Sequence, residues 1–279
     1  MISSQFVSSM RGETSGFVFA APSTFIIPWN NDETAPDSQE YGLRVSQAWE
    51  ELKRRWDTYG HKLKDMDPND ARNYWQRPLF EALGFMIAHT PKHIEISENL
   101  RFNFSHRGWG KDSSLPSAPV IHIIPPVQEL DERPVRGKPS AHDALQAYLN
   151  VHEDKWAILT NGRYLRLLRD FHHTFTLGYM EFDLEAIFLH RSYADFHALY
   201  RFVHASRFVP VPSKDPDKAN IYLEEYFNYS QTAGESVGKD LRENVLKAIE
   251  AFGNGFLNYE LLDELKGNEE ECQRYYEEI

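Results

Sequence analysis

The chain has 279 residues, with 30 Lys+Arg against 42 Asp+Glu and a formal net charge of −12. A composition 41% hydrophobic and 26% charged is that of a globular protein and excludes wholesale disorder. There is no run of about 18 apolar residues and no basic-then-apolar leader, so no membrane partner is expected. The single Cys272 can form neither an internal disulfide nor a Cys-based zinc site, which together predict a cytoplasmic protein.

Residues 1–45 open Ser-, Gly-, Pro- and Asn-rich and read as an N-terminal arm. From Ser46 to about Lys64, Ala48, Leu52, Trp56 and Tyr59 recur at spacings of four and three, which predicts an amphipathic helix. A second helix is expected over Asp70–Leu83, with Pro78 a point of kinking or division and Gly84 placed as a left-handed cap. Ile94 to Phe104 alternates, with one slip, as a strand or hairpin, and the Gly- and Ser-rich His106–Ser117 reads as a loop.

Pro119–Ile124 is a near-continuous apolar run, as expected of a central strand covered on both faces. Ser140 is the expected N-cap of a helix Ala141–Asn150. Lys155–Thr160 reads as a second buried strand, followed by the hairpin signal Asn161-Gly162 and an alternating strand Arg163–Arg169. A further strand is expected in Thr174–Phe182, then helices over Asp183–Phe188 and Tyr193–Val203. Beyond a connector at Pro210–Asp217, the rest reads as helices. This order predicts an α/β domain over 46–208 and a helical connector over 218–279.

Read by region, the acidity is uneven. Residues 221–279 hold 5 basic and 14 acidic side chains, net −9, whereas 72–169 hold 13 and 10, net +3. The total charge therefore neither supports nor excludes a nucleic-acid partner.

Several motifs with potential chemistry fail on their own terms. His89 and His93 have Pro91 between them and share no helical face, and His172-His173 has no further ligand at metal spacing, so no metal site is expected there. Phe252-Gly-Asn-Gly-Phe256 follows a helix that it would cap, not a strand. Cys272 lies beside Glu269, Glu270 and Glu271, which oppose a thiolate. Metal-dependent nucleases need an acid on one strand, then an acid and a lysine two apart on the next, to hold Mg²⁺. The central strand has only His122 and Ile124 at the latter positions. Asp131 and Glu132 lie beyond that strand, and Glu81, Glu95 and Glu98 before it.

Gln146-Ala-Tyr-Leu-Asn150, Trp156-Ala-Ile-Leu-Thr-Asn-Gly162 and Leu165-Arg-Leu-Leu-Arg169 occur in an order that resembles the N-terminal region of type IIG-like restriction–modification methyltransferases. The likeness extends to the large adenine methyltransferases of phage-defence systems such as DISARM and BREX. Trp75-Gln-Arg-Pro78 through Phe85, Glu181–Glu185, Asp195-Phe196, His204–Phe208 and Gly253–Leu257 fit the same pattern, over roughly 40–279. The resemblance implies a PD-(D/E)xK nuclease-like mixed sheet flanked by helices, with an all-helical C-terminal extension leading into a methyltransferase domain. S-adenosylmethionine would belong to that later domain, and Gln146 falls where such folds often keep a glutamine. The acid–x–lysine pair of the bifunctional members is missing here.

The expectation is thus a non-catalytic nuclease-like domain of a DNA adenine methyltransferase, holding double-stranded DNA or a defence-system subunit. Arg101, Arg107, Lys111, Arg163, Arg166 and Arg169 are the candidate phosphate contacts. The last three also read as surface solubilisers or as partners of Asp170, Glu181 and Asp183. Two other readings stand beside this one. One is a Mg²⁺-dependent endonuclease with a rearranged site drawn from Glu95, Glu98 and Gln146; the other is a protein-interaction module using the acidic helices.

Overall fold

In the computed structural model of the chain, residues 38–90, 94–97, 100–110, 119–134, 136–170, 178–210, 220–228, 230–231, 242, 244–247 and 273–274 are described. Helix α1 (Ser38–Tyr59) opens ahead of Ser46, inside the range read as an arm. The apolar stripe already runs through Tyr41 and Val45, both buried, before Trp49, Leu52 and Trp56 continue it.

The second helix is composite. In α2 (Pro68–Ala71), Asp67 is the N-cap, its carboxylate accepting the Asn69 N–H, and Pro68 occupies the first position. A π-helical segment follows, Arg72–Gln76, in which the Arg77 N–H donates to the Arg72 carbonyl. The helix then resumes as α3 (Arg77–Ala82). Pro78 fits the widening. It has no N–H to return to the preceding turn, and its ring needs space there, so one wider turn lets the helix pass through it. Gly84 ends the helix at φ +79, its N–H donating to the Glu81 carbonyl.

The core is a six-stranded mixed sheet built from β1 (Phe85–His89), β4 (His106–Gly110), β5 (Val120–Ile123), β6 (Trp156–Thr160), β7 (Tyr164–Arg169) and β8 (Tyr179–Asp183), adjacent in that order. All neighbours are antiparallel except β5 and β6, which are parallel and joined across the sheet by α4 (Ala141–Leu149). β2 (Ile94–Ser97) and β3 (Leu100–Phe102) form a separate antiparallel pair inserted between β1 and β4.

The segment read as a loop from His106 is therefore, over its first five residues, a strand. Gly108 is there for proximity rather than flexibility. A Cβ at that position would meet Ile121 Cδ1 at 2.4 Å and Phe85 Cδ1 at 2.9 Å, so only glycine lets β4 lie this close to its neighbours. Residues 111–118, the rest of that segment, lie outside the described residues.

Alternation divides the sheet into two faces. Val120, Ile124, Leu145, Tyr148, Leu159 and Leu168 pack together on the α4 side. Ile121 and Phe85 face the other way, Phe85 against Phe80 and Phe208. On that second side lie α3, α5 (Leu184–Leu189) and α6 (Tyr193–Val203), while α1 packs on the π segment, α3 and α6. Trp49 stacks on Phe188 at 5.4 Å, and Trp56 and Trp75 meet at 5.0 Å. Ser140 caps α4 as expected, its hydroxyl accepting the Asp143 N–H.

The Asn161-Gly162 turn is a docking point as well as a hairpin. The Asn161 side-chain carbonyl accepts the N–H groups of Arg163 and Tyr164, and Gly162 stands at φ +87. Trp75 donates its indole N–H to the Gly162 carbonyl at 2.7 Å. A Cβ on Gly162 would meet Gln76 Nε2 at 3.1 Å and Trp75 Cδ1 at 3.2 Å. Gly162→Ala is expected to lower stability by about 1–3 kcal/mol, through backbone strain plus this crowding, measured as a fall in the urea midpoint at unchanged slope.

Two compact units divide the chain after Phe227. In the first, residues 222–227 are helical; in the second, the described residues 242, 244–247 and 273–274 are helical. Of the expected connector Pro210–Asp217 only Pro210, bridged to Ile221, is described; the rest of it and the glycine pair at Phe252–Phe256 lie outside the described residues.

Candidate functional site

The parallel β5–β6 pair and its crossover helix α4 define where a nuclease centre would be built. His122 and Ile124 occupy the two positions at issue, on the α4 side. The His122 ring sits edge-on to Phe104 at 5.4 Å, and its Nδ1 accepts the Ser105 N–H at 3.3 Å. Burial lowers its pKa to about 4, so it is a neutral, half-buried, hydrogen-bonded histidine at neutral pH. Ile124 is part of the apolar cluster under α4.

Of the three candidates for a rearranged centre, the two that are described, Glu95 and Gln146, lie on different elements and have separate partners. Glu95 is on the small β2–β3 sheet, its carboxylate 3.0 Å from Arg101 with both side chains more than half exposed. Glu98 lies outside the described residues. Gln146 donates its amide to Asn150 Oδ1 and to the Arg169 carbonyl, both at 3.1 Å, tying α4 to the end of β7, while its own oxygen is buried without a partner. No group of three or more His, Cys, Asp or Glu side chains suited to a metal is found among the described residues.

The arginines spaced by three near β7 do not form one row, because such spacing crosses from one face of a strand to the other. Arg166, 7% exposed, is on the α4 side. It meets Asp131 bidentately at 2.6 and 2.7 Å and Glu181 at 2.5 Å, with Tyr179 under its guanidinium at 4.5 Å. Burial works against this charge, but the hydrogen bonds to Asp131 and Glu181 outweigh it and raise the Arg166 pKa. The same bond holds the Asp131 carboxyl below its ordinary value. Arg163 pairs with both Glu129 and Glu185 at 3.1 Å. Arg169 clasps Glu224 at 2.6 and 3.1 Å, its guanidinium 3.8 Å from the Phe227 ring centre. Of the anticipated partners, Glu181 takes Arg166 and the Asp170 carbonyl accepts from Arg169 Nη1 at 2.9 Å; Asp131, Glu129, Glu185 and Glu224 are partners the sequence does not indicate.

Arg107 is half-buried in a polar knot behind β4. It donates to Tyr148 Oη and Asp154 Oδ2 at 3.2 Å, while the Tyr148 hydroxyl donates to the same carboxylate oxygen at 2.5 Å and contacts His152 Nδ1 at 2.9 Å. Burial, then the hydrogen bond to Asp154, raises the Tyr148 pKa, so the phenol stays protonated. Arg101 is the most exposed of the described candidates, and Lys111 lies outside the described residues.

A second polar group lies on the opposite side of the sheet. His89 and His106 are cross-strand partners, their rings edge-to-face at 5.7 Å. His106 is 3% exposed, yet its Nδ1 has no hydrogen-bond partner, and neither has the buried Nε of Arg72 in the π segment. The pattern of two helical arginines and two strand histidines passes unnoticed in the sequence, since β1 and β4 are separated by the inserted hairpin. Two of the motifs that carry the family resemblance, Trp75-Gln76 and Thr160-Asn161-Gly162, touch directly. In comparisons with known proteins, no family model, no curated protein and no solved structure matches this chain.

Proposed function

We propose that this chain is the nuclease-like but non-cleaving N-terminal domain of a DNA adenine methyltransferase from a restriction–modification or phage-defence system. Its role is to hold DNA, or a partner subunit, beside the methyltransferase domain. The observation that carries the reading is the element order of the core. A helix (α2 to α3) precedes three antiparallel strands, β1, β4 and β5, and α4 then leads to β6, parallel to β5. A mixed sheet flanked by helices is what the family resemblance implies, and where an acid and a lysine would stand are a half-buried neutral His122 and a core Ile124. Neither side chain can serve as an anionic Mg²⁺ ligand or as the lysine that accompanies one. S-adenosylmethionine belongs to the other domain of such a protein, and no residue here is assigned to it.

DNA contact through Arg163, Arg166 or Arg169 would require each to leave one or two carboxylates. The better-placed of the described candidates is Arg101, on the β2–β3 pair. Incubation of the full chain with plasmid DNA and Mg²⁺ or Mn²⁺ is expected to leave the plasmid intact. Cleavage that disappears on Glu95→Gln or Glu98→Gln would overturn the non-cleaving reading. Binding to a short duplex is expected at about 50 mM salt and should weaken steeply by about 200 mM. Absence of binding at the lower salt removes DNA as the partner and leaves the subunit-docking role.

A further inference from the structure

The side of the sheet away from α4 carries a basic cluster, Arg72, Arg77, His89 and His106, and among the described residues none of the four is ion-paired to a carboxylate. β1 runs back along the α2–α3 helix, which brings its last residue, His89, and the paired first residue of β4, His106, toward the start of the π segment. There Arg72 and Arg77 are joined by the backbone bond from the Arg77 N–H to the Arg72 carbonyl, which places them one above the other on the helix. Burial first, then Arg72, His89, Arg77 and His122, oppose protonation of His106, and its pKa is lowered to about 4.

The arrangement is costly for a folded protein to keep without a ligand. The Nδ1 of His106 and the Nε of Arg72 are both buried and unpaired, whereas buried donors are nearly always satisfied. His106 is 97% enclosed, so its free nitrogen is held in place by the sheet. A neutral histidine that can carry its proton on Nδ1, one guanidinium Nε–H and a second, exposed guanidinium supply donors and positive charge, with no carboxylate paired to them among the described residues. This is the donor set of a phosphate site.

We infer that Arg72, Arg77, His89 and His106 form a binding site for a phosphate group, supplied either by a phosphodiester of nucleic acid or by free inorganic phosphate. In its nucleic-acid form the inference rests on the function proposed above; in its free-phosphate form it does not. The two arginines provide the charge, and His106 provides a fixed hydrogen bond that selects an oxyanion over chloride.

The test uses the full chain labelled with ¹⁵N at histidine. The imidazole signals are followed while inorganic phosphate, or a short DNA duplex, is added at constant ionic strength set by chloride. Phosphate should move the His89 and His106 signals to saturation, and the bound anion should raise the His106 pKa above about 4. Arg72→Gln should weaken phosphate by at least about fivefold, the loss of one charge-assisted contact. Arg77→Gln should do the same, and because Arg77 is exposed that variant folds normally. If the duplex moves the same signals and competes with phosphate, the source is nucleic acid. If phosphate binds and the duplex leaves these signals unmoved, the site stands as one for free phosphate, and the DNA-holding reading loses this contact. If phosphate gives no saturable shift, or if Arg77→Gln leaves its affinity unchanged, the inference is overturned, even where the duplex binds elsewhere.

Discussion

Arg169→Ala is expected to destabilise the domain by about 3–5 kcal/mol near neutral pH, because it strands a buried carboxylate. Glu224 is 6% exposed and accepts both guanidinium contacts of Arg169, together with the Trp156 indole N–H at 2.9 Å. Lys155, 4.0 Å away and 55% exposed, is too far and too solvated to replace the arginine. The pH dependence has a sign that identifies the mechanism. Burial raises the Glu224 pKa, but the Arg169 hydrogen bond and charge outweigh it, with Trp156 and Lys155 adding to them, and the net shift is downward. In the intact protein the group therefore contributes stability above its unfolded pKa of about 4.5, and that stability is lost as pH falls through the lower folded value. Without Arg169, burial dominates, the folded pKa rises above the unfolded one, and the variant gains stability as pH falls. The difference between the two proteins should be largest near pH 7 and shrink toward pH 4, measured by urea unfolding across that range. The paired change Arg169→Met with Glu224→Leu should recover most of the loss. A difference that stays constant with pH would show that packing on Phe227, rather than the ion pair, carries the effect. The slope of duplex affinity against salt should not change in Arg169→Ala, since this cation is already neutralised within the domain.

Glu224 also shows where sequence reading reaches and where it stops. The Ser140 cap, the Gly84 cap and the Asn161-Gly162 turn are each decided within three or four residues, and each was legible for that reason. The apolar runs at Val120–Ile123 and Trp156–Thr160 announce strands covered on both faces, and the sheet centre is where they pair. β4 was hidden because Gly108 and Gly110 imitate a loop, whereas Gly108 is required by side chains of two neighbouring strands. β1 was hidden because Phe85–His89 carries no clear alternation and directly follows a helix cap. The ionic partners were hidden by distance along the chain. Asp131 lies 35 residues from Arg166, and Glu224 lies 55 from Arg169, on elements whose packing no local pattern specifies. Glu181 was foreseen because it sits directly across the adjoining hairpin strand from Arg166. The candidate site follows the same rule: the arginines could be named, but whether each was already neutralised depended on pairings that only the fold creates.

Trp75→Ala is the second large effect, an expected loss of about 3–5 kcal/mol. The side chain is 1% exposed, edge-on to Trp56 at 5.0 Å and to Phe188 at 5.2 Å, and its indole N–H is the donor to the Gly162 carbonyl. Truncation thus opens a cavity among three elements distant in sequence and leaves a buried carbonyl unpaired. Trp75→Phe separates these terms. It keeps an aromatic ring in the cavity but removes the donor, so the loss should fall to about 1–2 kcal/mol, that of an unsatisfied buried acceptor. If the two variants cost the same, the hydrogen bond and not the packing holds the helix to the hairpin. If Trp75→Ala costs under about 1.5 kcal/mol, the contact is not the clamp its burial indicates. The variants also bear on the phosphate site, because Trp75 lies within the π segment, between Arg72 and Arg77. Trp75→Phe, still folded, should retain phosphate affinity if the π turn is set by Pro78. It should lose affinity together with the Arg77→Gln variant if the indole anchor is what holds that turn open. Measuring stability and phosphate binding on the same protein assigns the cause of the π segment to one residue or the other.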